Sequence, residues 1–189
     1  MKYIRRLLLF IATRLLAISV IVGLLVLAFY LAMNTANIYL LLSDGMKLRA
    51  EVILTREDAD ELKSFFTDDF LHRDETLEIG LSDQSPYVDY NIDTFNYEMT
   101  MEWMWAWPWD NTATATIVEK VPRIVGSVKS DKRSLVTAGT LSANPPQWYG
   151  GRYTVTLKRI NGRWKIDDLH QTQLIIQPTP VPAQPKQGQ

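Results

Sequence analysis

Residues 87–109 read YVDYNIDTFNYEMTMEWMWAWPW. From Phe95 onward every odd position is aromatic or Met: Phe95, Tyr97, Met99, Met101, Trp103, Trp105, Trp107 and Trp109. The even positions begin polar, with Thr94, Asn96, Glu98, Thr100 and Glu102, and turn apolar at Met104 and Ala106. A helix would spread these aromatics around its circumference. A strand gathers them on one face, because successive side chains alternate. The stretch therefore reads as a long strand with one heavy aromatic face, which the rest of the soluble part must cover.

Ahead of it lies a segment of a different kind. Residues 7–33 are apolar except for a few interruptions, of which Arg14 is the charged one, and the clean run is 15–33. A spanning helix needs about 20 apolar residues, so a transmembrane helix is expected at 15–36, with Arg14 snorkelling to the near interface. Residues 1–14 hold Lys2, Arg5, Arg6 and Arg14 and no acid; against a net charge of −1 for the chain, the remainder carries five net negative charges. The basic flank keeps the N-terminus in the cytoplasm and puts the body on the far side of a cell membrane. A cleaved signal peptide competes with this reading, but the run exceeds an ordinary h-region and Asn34-Thr35-Ala36 is a poor cleavage site. A buried core helix fits less well, since no face of the run is polar. The acidic body argues against nucleic acid as a partner. The absence of Cys excludes a disulfide framework, a thiol nucleophile and a Cys-based zinc site.

Past the span, Ile38, Leu41, Leu42 and Met46 continue at helical spacing, so residues 37–54 form a helical connector that Gly45 bends or ends. Thr55-Arg-Glu-Asp58 resembles a capping box. Ala59, Leu62, Phe66 and Phe70 then place one apolar stripe on a helix over residues 56–70, the expected cover for the aromatic face. Leu77, Ile79 and Leu81 alternate as a short strand. Residues 112–121, rich in Thr, Val and Ile, read as the antiparallel partner of the long strand, and 135–141 as a weaker strand. Residues 152–160 and 163–176 flank Asn161-Gly162, the preferred dipeptide of a two-residue hairpin turn. That turn sets Ile160 opposite Arg163, Leu157 opposite Ile166, Val155 opposite Asp168 and Tyr153 opposite His170. Residues 177–189, rich in Pro and Gln, read as an unstructured tail. The fold class is α+β: one N-terminal span, then a domain over 55–176 with helices packed on one face of a curved antiparallel sheet.

Helices first, a curved sheet, and a closing hairpin GRYTVTLKRINGRWKIDD over residues 151–168 resemble the cone-shaped nuclear-transport-factor-two-like superfamily. A single N-terminal span before such a domain is similar to the bridging subunits of conjugation and type IV secretion machines. The resemblance implies an assembly part rather than an enzyme.

The tryptophan stripe has three readings: core filler, a stacking platform for a flat or sugar ligand, or an anchor at lipid headgroups. Because Met104 and Ala106 make its far end apolar on both faces, Trp103, Met104, Trp105, Trp107 and Trp109 form either a doubly covered end or a contact surface. Asp168 and His170, with Tyr153, are the candidate proton-transfer group of a cone-type enzyme. A bulge at Asp167-Asp168 would reverse that facing and turn Leu169 inward. No Gly-rich phosphate loop, His-Glu-x-x-His pattern or Ser elbow is present, and two histidines without Cys provide no transition-metal set. No cofactor or metal is expected. The expected role is a non-catalytic membrane-anchored structural or adaptor subunit of a bacterial cell-envelope assembly. Its partners would be the membrane and other envelope proteins, or further copies of itself. A ligand-binding domain that uses the Trp-lined surface or a cavity is the alternative, and a cone-fold enzyme the third.

Overall fold

The computed structural model describes residues 2–176, so the expected tail at 177–189 lies outside the described residues. Helix α1 (Lys2–Thr55) runs for 54 residues, about 80 Å at 1.5 Å per residue. From Phe10 the helix is long and apolar enough to cross a bilayer, and over residues 10–26 its side chains are exposed all round, with Leu16 at 67%. From Asn34 the same helix enters the domain. Ile38, Leu42, Met46 and Ala50, spaced by four, are fully buried, as one stripe of a helix must be when it faces a sheet.

Gly45 neither bends nor ends this helix. A Cβ there would stand 2.9 Å from Phe65 Cβ and 3.3 Å from Ile166 Cδ1, so the glycine is a point of close packing. Gly45→Leu would improve helix propensity by about 1 kcal/mol. The Phe65 Cβ is tied to the main chain and cannot swing away, so overpacking wins. A net loss of about 1–3 kcal/mol is expected, read as a lower thermal midpoint of the detergent-solubilised full chain.

Thr55 closes α1 rather than capping a new helix: its Oγ1 donates to Glu51 O at 2.9 Å. Arg56 follows with φ of 60°, the left-handed exit usually given to Gly. Its guanidinium donates to Leu81 O at 3.0 Å and Ser82 O at 3.1 Å, tying the two helix ends together. The single helix expected over 56–70 is two pieces, a 3₁₀ turn (Asp60–Ser64) and α2 (Asp68–Arg73). Between them the backbone pairs with Ile166: Ile166 N donates to Phe65 O at 2.8 Å and Thr67 N to Ile166 O at 2.9 Å. The apolar stripe still covers the sheet, with Leu62, Phe66 and Phe70 buried. Residues 77, 79 and 81 lie on helix α3 (Glu75–Leu81), not on a strand. Asp74 caps it by accepting from Leu77 N at 3.2 Å, and a capped helix start overrides a three-residue alternation.

The sheet is a four-stranded antiparallel meander in sequence order: β1 (Tyr90–Ala106), β2 (Thr112–Val128), β3 (Gly150–Ile160) and β4 (Arg163–Ile175). Strand β2 runs past Pro122 to Val128, and the β1–β2 register slips there, between the Asn96 and Glu98 pairings; a bulge tolerates proline within a sheet. Residues 133–137 form a short helix, α4 (Arg133–Thr137), in place of the weak strand expected at 135–141.

Two of the sheet's five register shifts decide which way the candidate residues face. In β1–β2, Met101 pairs with Ile117 but Trp103 pairs with Thr116, so Glu102 is the extra residue. An extra residue reverses the alternation. Before it, Phe95, Tyr97, Met99 and Met101 pack against the core; after it, Met104 and Ala106 do. The aromatics therefore do not share one face: Trp103 and Trp105 turn to the outer face, beside Thr116 and Thr114. In β3–β4, Ile160 pairs with Arg163 and Leu157 with Ile166, as the turn dictates. Asp167 is then extra, so Val155 pairs with Leu169 and Tyr153 with Gln171, instead of Asp168 and His170.

Candidate functional site

The indole row lies at the end of β1. Trp103, Trp105, Trp107 and Trp109 are 54%, 53%, 38% and 71% exposed, whereas Met104 is half-buried on the opposite face. Trp105 stacks on Trp107 with centroids 5.6 Å apart, and Trp109 meets Trp107 edge-on at 5.2 Å. Such pairs add about 0.5–1.5 kcal/mol each beyond area burial, enough to hold the row in order while it stays open. The tip is pinned to α1: Tyr30 Oη donates to Pro108 O at 2.9 Å. The neighbouring β3–β4 turn is pinned beside it. Arg159 N donates to Asn111 O at 2.7 Å. Its guanidinium donates to Tyr30 Oη at 3.3 Å and Asn34 Oδ1 at 3.3 Å, and lies 4.4 Å over the Trp164 ring.

A second feature is a buried polar cluster deep between α1 and the sheet. Arg49 and Asp74 form a two-pronged ion pair, Nε to Oδ2 at 2.6 Å and Nη2 to Oδ1 at 2.7 Å, with side chains 6% and 5% exposed. Glu119 of β2 shares this environment at 0% exposure, and neither carboxylate oxygen has a hydrogen-bond partner. Burial raises its carboxyl, the Arg49 charge offsets part of the rise, and the balance stands at about 7. For Arg49, burial opposes the charged form, but the bond to Asp74 and the charges of Asp74 and Glu119 outweigh it, so its pKa rises. The Tyr97 hydroxyl is buried without a partner, and burial raises its pKa. Burial and the Glu119 charge push Tyr153 up to about 12.

Arg49, Asp74 and Tyr153 also border a cleft of about 640 Å³, walled on its other sides by α3, by Tyr87 and by the segment carrying Trp148. The Trp148 indole N–H is buried and unpaired. Apolar walls with a few convergent polar groups are what small-molecule sites are built from; Glu119 does not itself line the cleft.

Of the residues singled out for proton transfer, Tyr153 and Asp168 border this cleft, and His170 does not. Asp168 and His170 are both exposed. The buried acid is their neighbour Asp167, which accepts from Thr67 Oγ1 at 3.0 Å and meets Lys158 Nζ at 2.7 Å. The cluster of Arg49, Asp74 and Glu119 is absent from the sequence reading, although the signal is there. Ala113, Ala115, Ile117, Glu119 and Val121 share one strand face, so Glu119 interrupts an otherwise apolar row. Arg49 does the same in the stripe of Met46, Ala50 and Ile53 on α1.

No family model, curated protein or solved structure matches this chain.

Proposed function

We propose that this chain is a non-catalytic structural or adaptor subunit of a bacterial cell-envelope assembly of the secretion, conjugation or sporulation type. In this reading its N-terminus is cytoplasmic, its domain lies outside, and its partners are envelope proteins or further copies. The observation that carries it is the continuity of α1: the helix that can span the bilayer is also the core helix of the domain. A helix that passes unbroken from span to core, with no linker, fixes the height and orientation of the domain, as a strut requires. The helices-first order and the closing Asn-Gly hairpin support a cone-like, nuclear-transport-factor-two-like relation.

Light scattering of the full chain, extracted from its own membranes in mild detergent, tests this. A stoichiometric complex with a mass at least about twice that of the 21.7 kDa chain is expected; a lone monomer under all mild conditions defeats the reading. The cleft beside Arg49 and Tyr153 favours a second reading, a membrane-anchored ligand-binding domain. In that case the monomer would gain thermal stability from a small molecule present in envelope extracts.

A further inference from the structure

The position of the indole row relative to α1 has a consequence for the bilayer. If the clean apolar run at 15–33 occupies the hydrocarbon, whose thickness of about 30 Å takes about 20 helical residues, the far boundary falls near Asn34. Tyr30 lies four residues short of that point, about 6 Å inside it. Yet Tyr30 is bonded to Pro108, and Leu27, Tyr30 and Leu31 are half-buried while Phe29 and Met33 remain open. The domain thus reaches down alongside the last turns of the span. It cannot stand clear of the membrane without lifting apolar turns of α1 into water.

What reaches down has the composition of an interfacial element. The tip between β1 and β2 reads Trp107-Pro108-Trp109-Asp110-Asn111, and Trp109 at 71% is the most exposed indole of the row. The adjacent β3–β4 turn carries exposed Ile160 and Arg163, with Arg159 fixed at the level of Asn34. Two arginines against one acid, Asp110, give this end a positive balance on a domain whose sequence is otherwise acidic. Indoles favour the boundary between headgroups and acyl chains, and Arg near that surface is attracted to anionic lipid. The inner face at the same end is closed by Ala106, Ala113 and Ala115, all buried, so the indoles have no cavity in the domain to retreat into.

We propose that the β1–β2 tip is a lipid-binding site: Trp107 and Trp109 sit in the outer headgroup–acyl boundary of the bilayer that α1 crosses, and Trp105 stacks above them. The tip acts as a second, monotopic foothold that fixes the tilt of the domain against the bilayer. This inference rests on α1 spanning the bilayer and not on the assembly reading.

The test uses the full chain reconstituted into phosphatidylcholine vesicles, with and without phosphatidylglycerol, in which the phosphatidylcholine is brominated near the glycerol end of its acyl chains. Expected are flotation with the vesicles and bromine quenching of tryptophan fluorescence, with iodide on both sides of the bilayer quenching less than in detergent. Trp107→Phe/Trp109→Phe should lose most of the bromine quenching. The remaining emission comes from Trp103, Trp105, Trp148 and Trp164. Should that variant fail to fold, the wild-type bromine and iodide measurements decide alone. A chain that floats but shows no bromine quenching, or whose quenching survives the double substitution, overturns the inference, and the row is then a protein-contact surface. A chain that does not float removes the anchor, and the inference with it.

Discussion

Asp74→Ala is expected to destabilise the domain by about 3–5 kcal/mol, the usual cost of breaking a buried ion pair from one side. Two independent losses converge on this carboxylate. It holds both prongs of the Arg49 guanidinium, at 2.6 and 2.7 Å, and it caps α3 through Leu77 N. The larger loss is the first, because the guanidinium left behind keeps its charge in a site that is 95% closed to water; loss of the cap adds about 1 kcal/mol. Replacing both partners by apolar residues, as in Arg49→Met/Asp74→Leu, should recover much of the stability, since no unpaired charge remains. Denaturant unfolding of the full chain in detergent, followed by near-ultraviolet circular dichroism, measures the cycle. A single Asp74→Ala that costs less than the double change would show that the pair is not the buried support argued above.

The second large effect is a stability that falls as pH rises. Glu119 titrates near its ordinary 4.5 when the chain is unfolded and at about 7 when folded. Between those values the folded state holds a proton that the unfolded state has released, so raising the pH favours unfolding. The contribution is fully present below about pH 4.5, is lost progressively up to about pH 7, and is flat beyond. A displacement of this size corresponds to about 3 kcal/mol as an order of magnitude. Glu119→Gln should therefore be more stable than the wild type at about pH 8, nearly equal to it at about pH 4.5, and without the decline between them. Unfolding free energies of the two proteins across that range give the answer. Parallel curves would mean that Glu119 is not held protonated by its surroundings. The two effects are coupled: removing Arg49 removes the charge that partly restrains Glu119, and the decline should move to higher pH.

Legibility in the sequence followed the range of the forces. The long apolar helix was readable because a helix long and apolar enough to cross a bilayer needs one unbroken apolar run on contiguous residues. The closing hairpin was readable because Asn161 and Gly162 take positive φ, 51° and 79°, as a two-residue turn between right-twisted strands demands. The first pairs after that turn held, and the register then failed at Asp167. The Asp167-Asp168 pair offers that bulge as an alternative to the straight register, and it forms, turning Leu169 toward the core; what selects it is a set of contacts made a hundred residues away, with Thr67 and with the backbone around Phe65. The polar cluster was hidden for the same reason. Arg49, Asp74 and Glu119 come from three elements, and each taken alone looks like a single interruption in an apolar pattern.

The apolar helix, the long first strand and the closing turn are each set by neighbours a few residues apart, and with them the α+β class is legible. Which way the tryptophans point depends on packing across the whole domain. At the β1–β2 turn end the inner sheet face is floored by the buried Ala106, Ala113 and Ala115, where small side chains and not indoles are enclosed. One extra residue at Glu102 turns Met104 and Ala106 inward and puts the row outside. A period of two can predict that side chains share a face, but which face is covered depends on what packs against it.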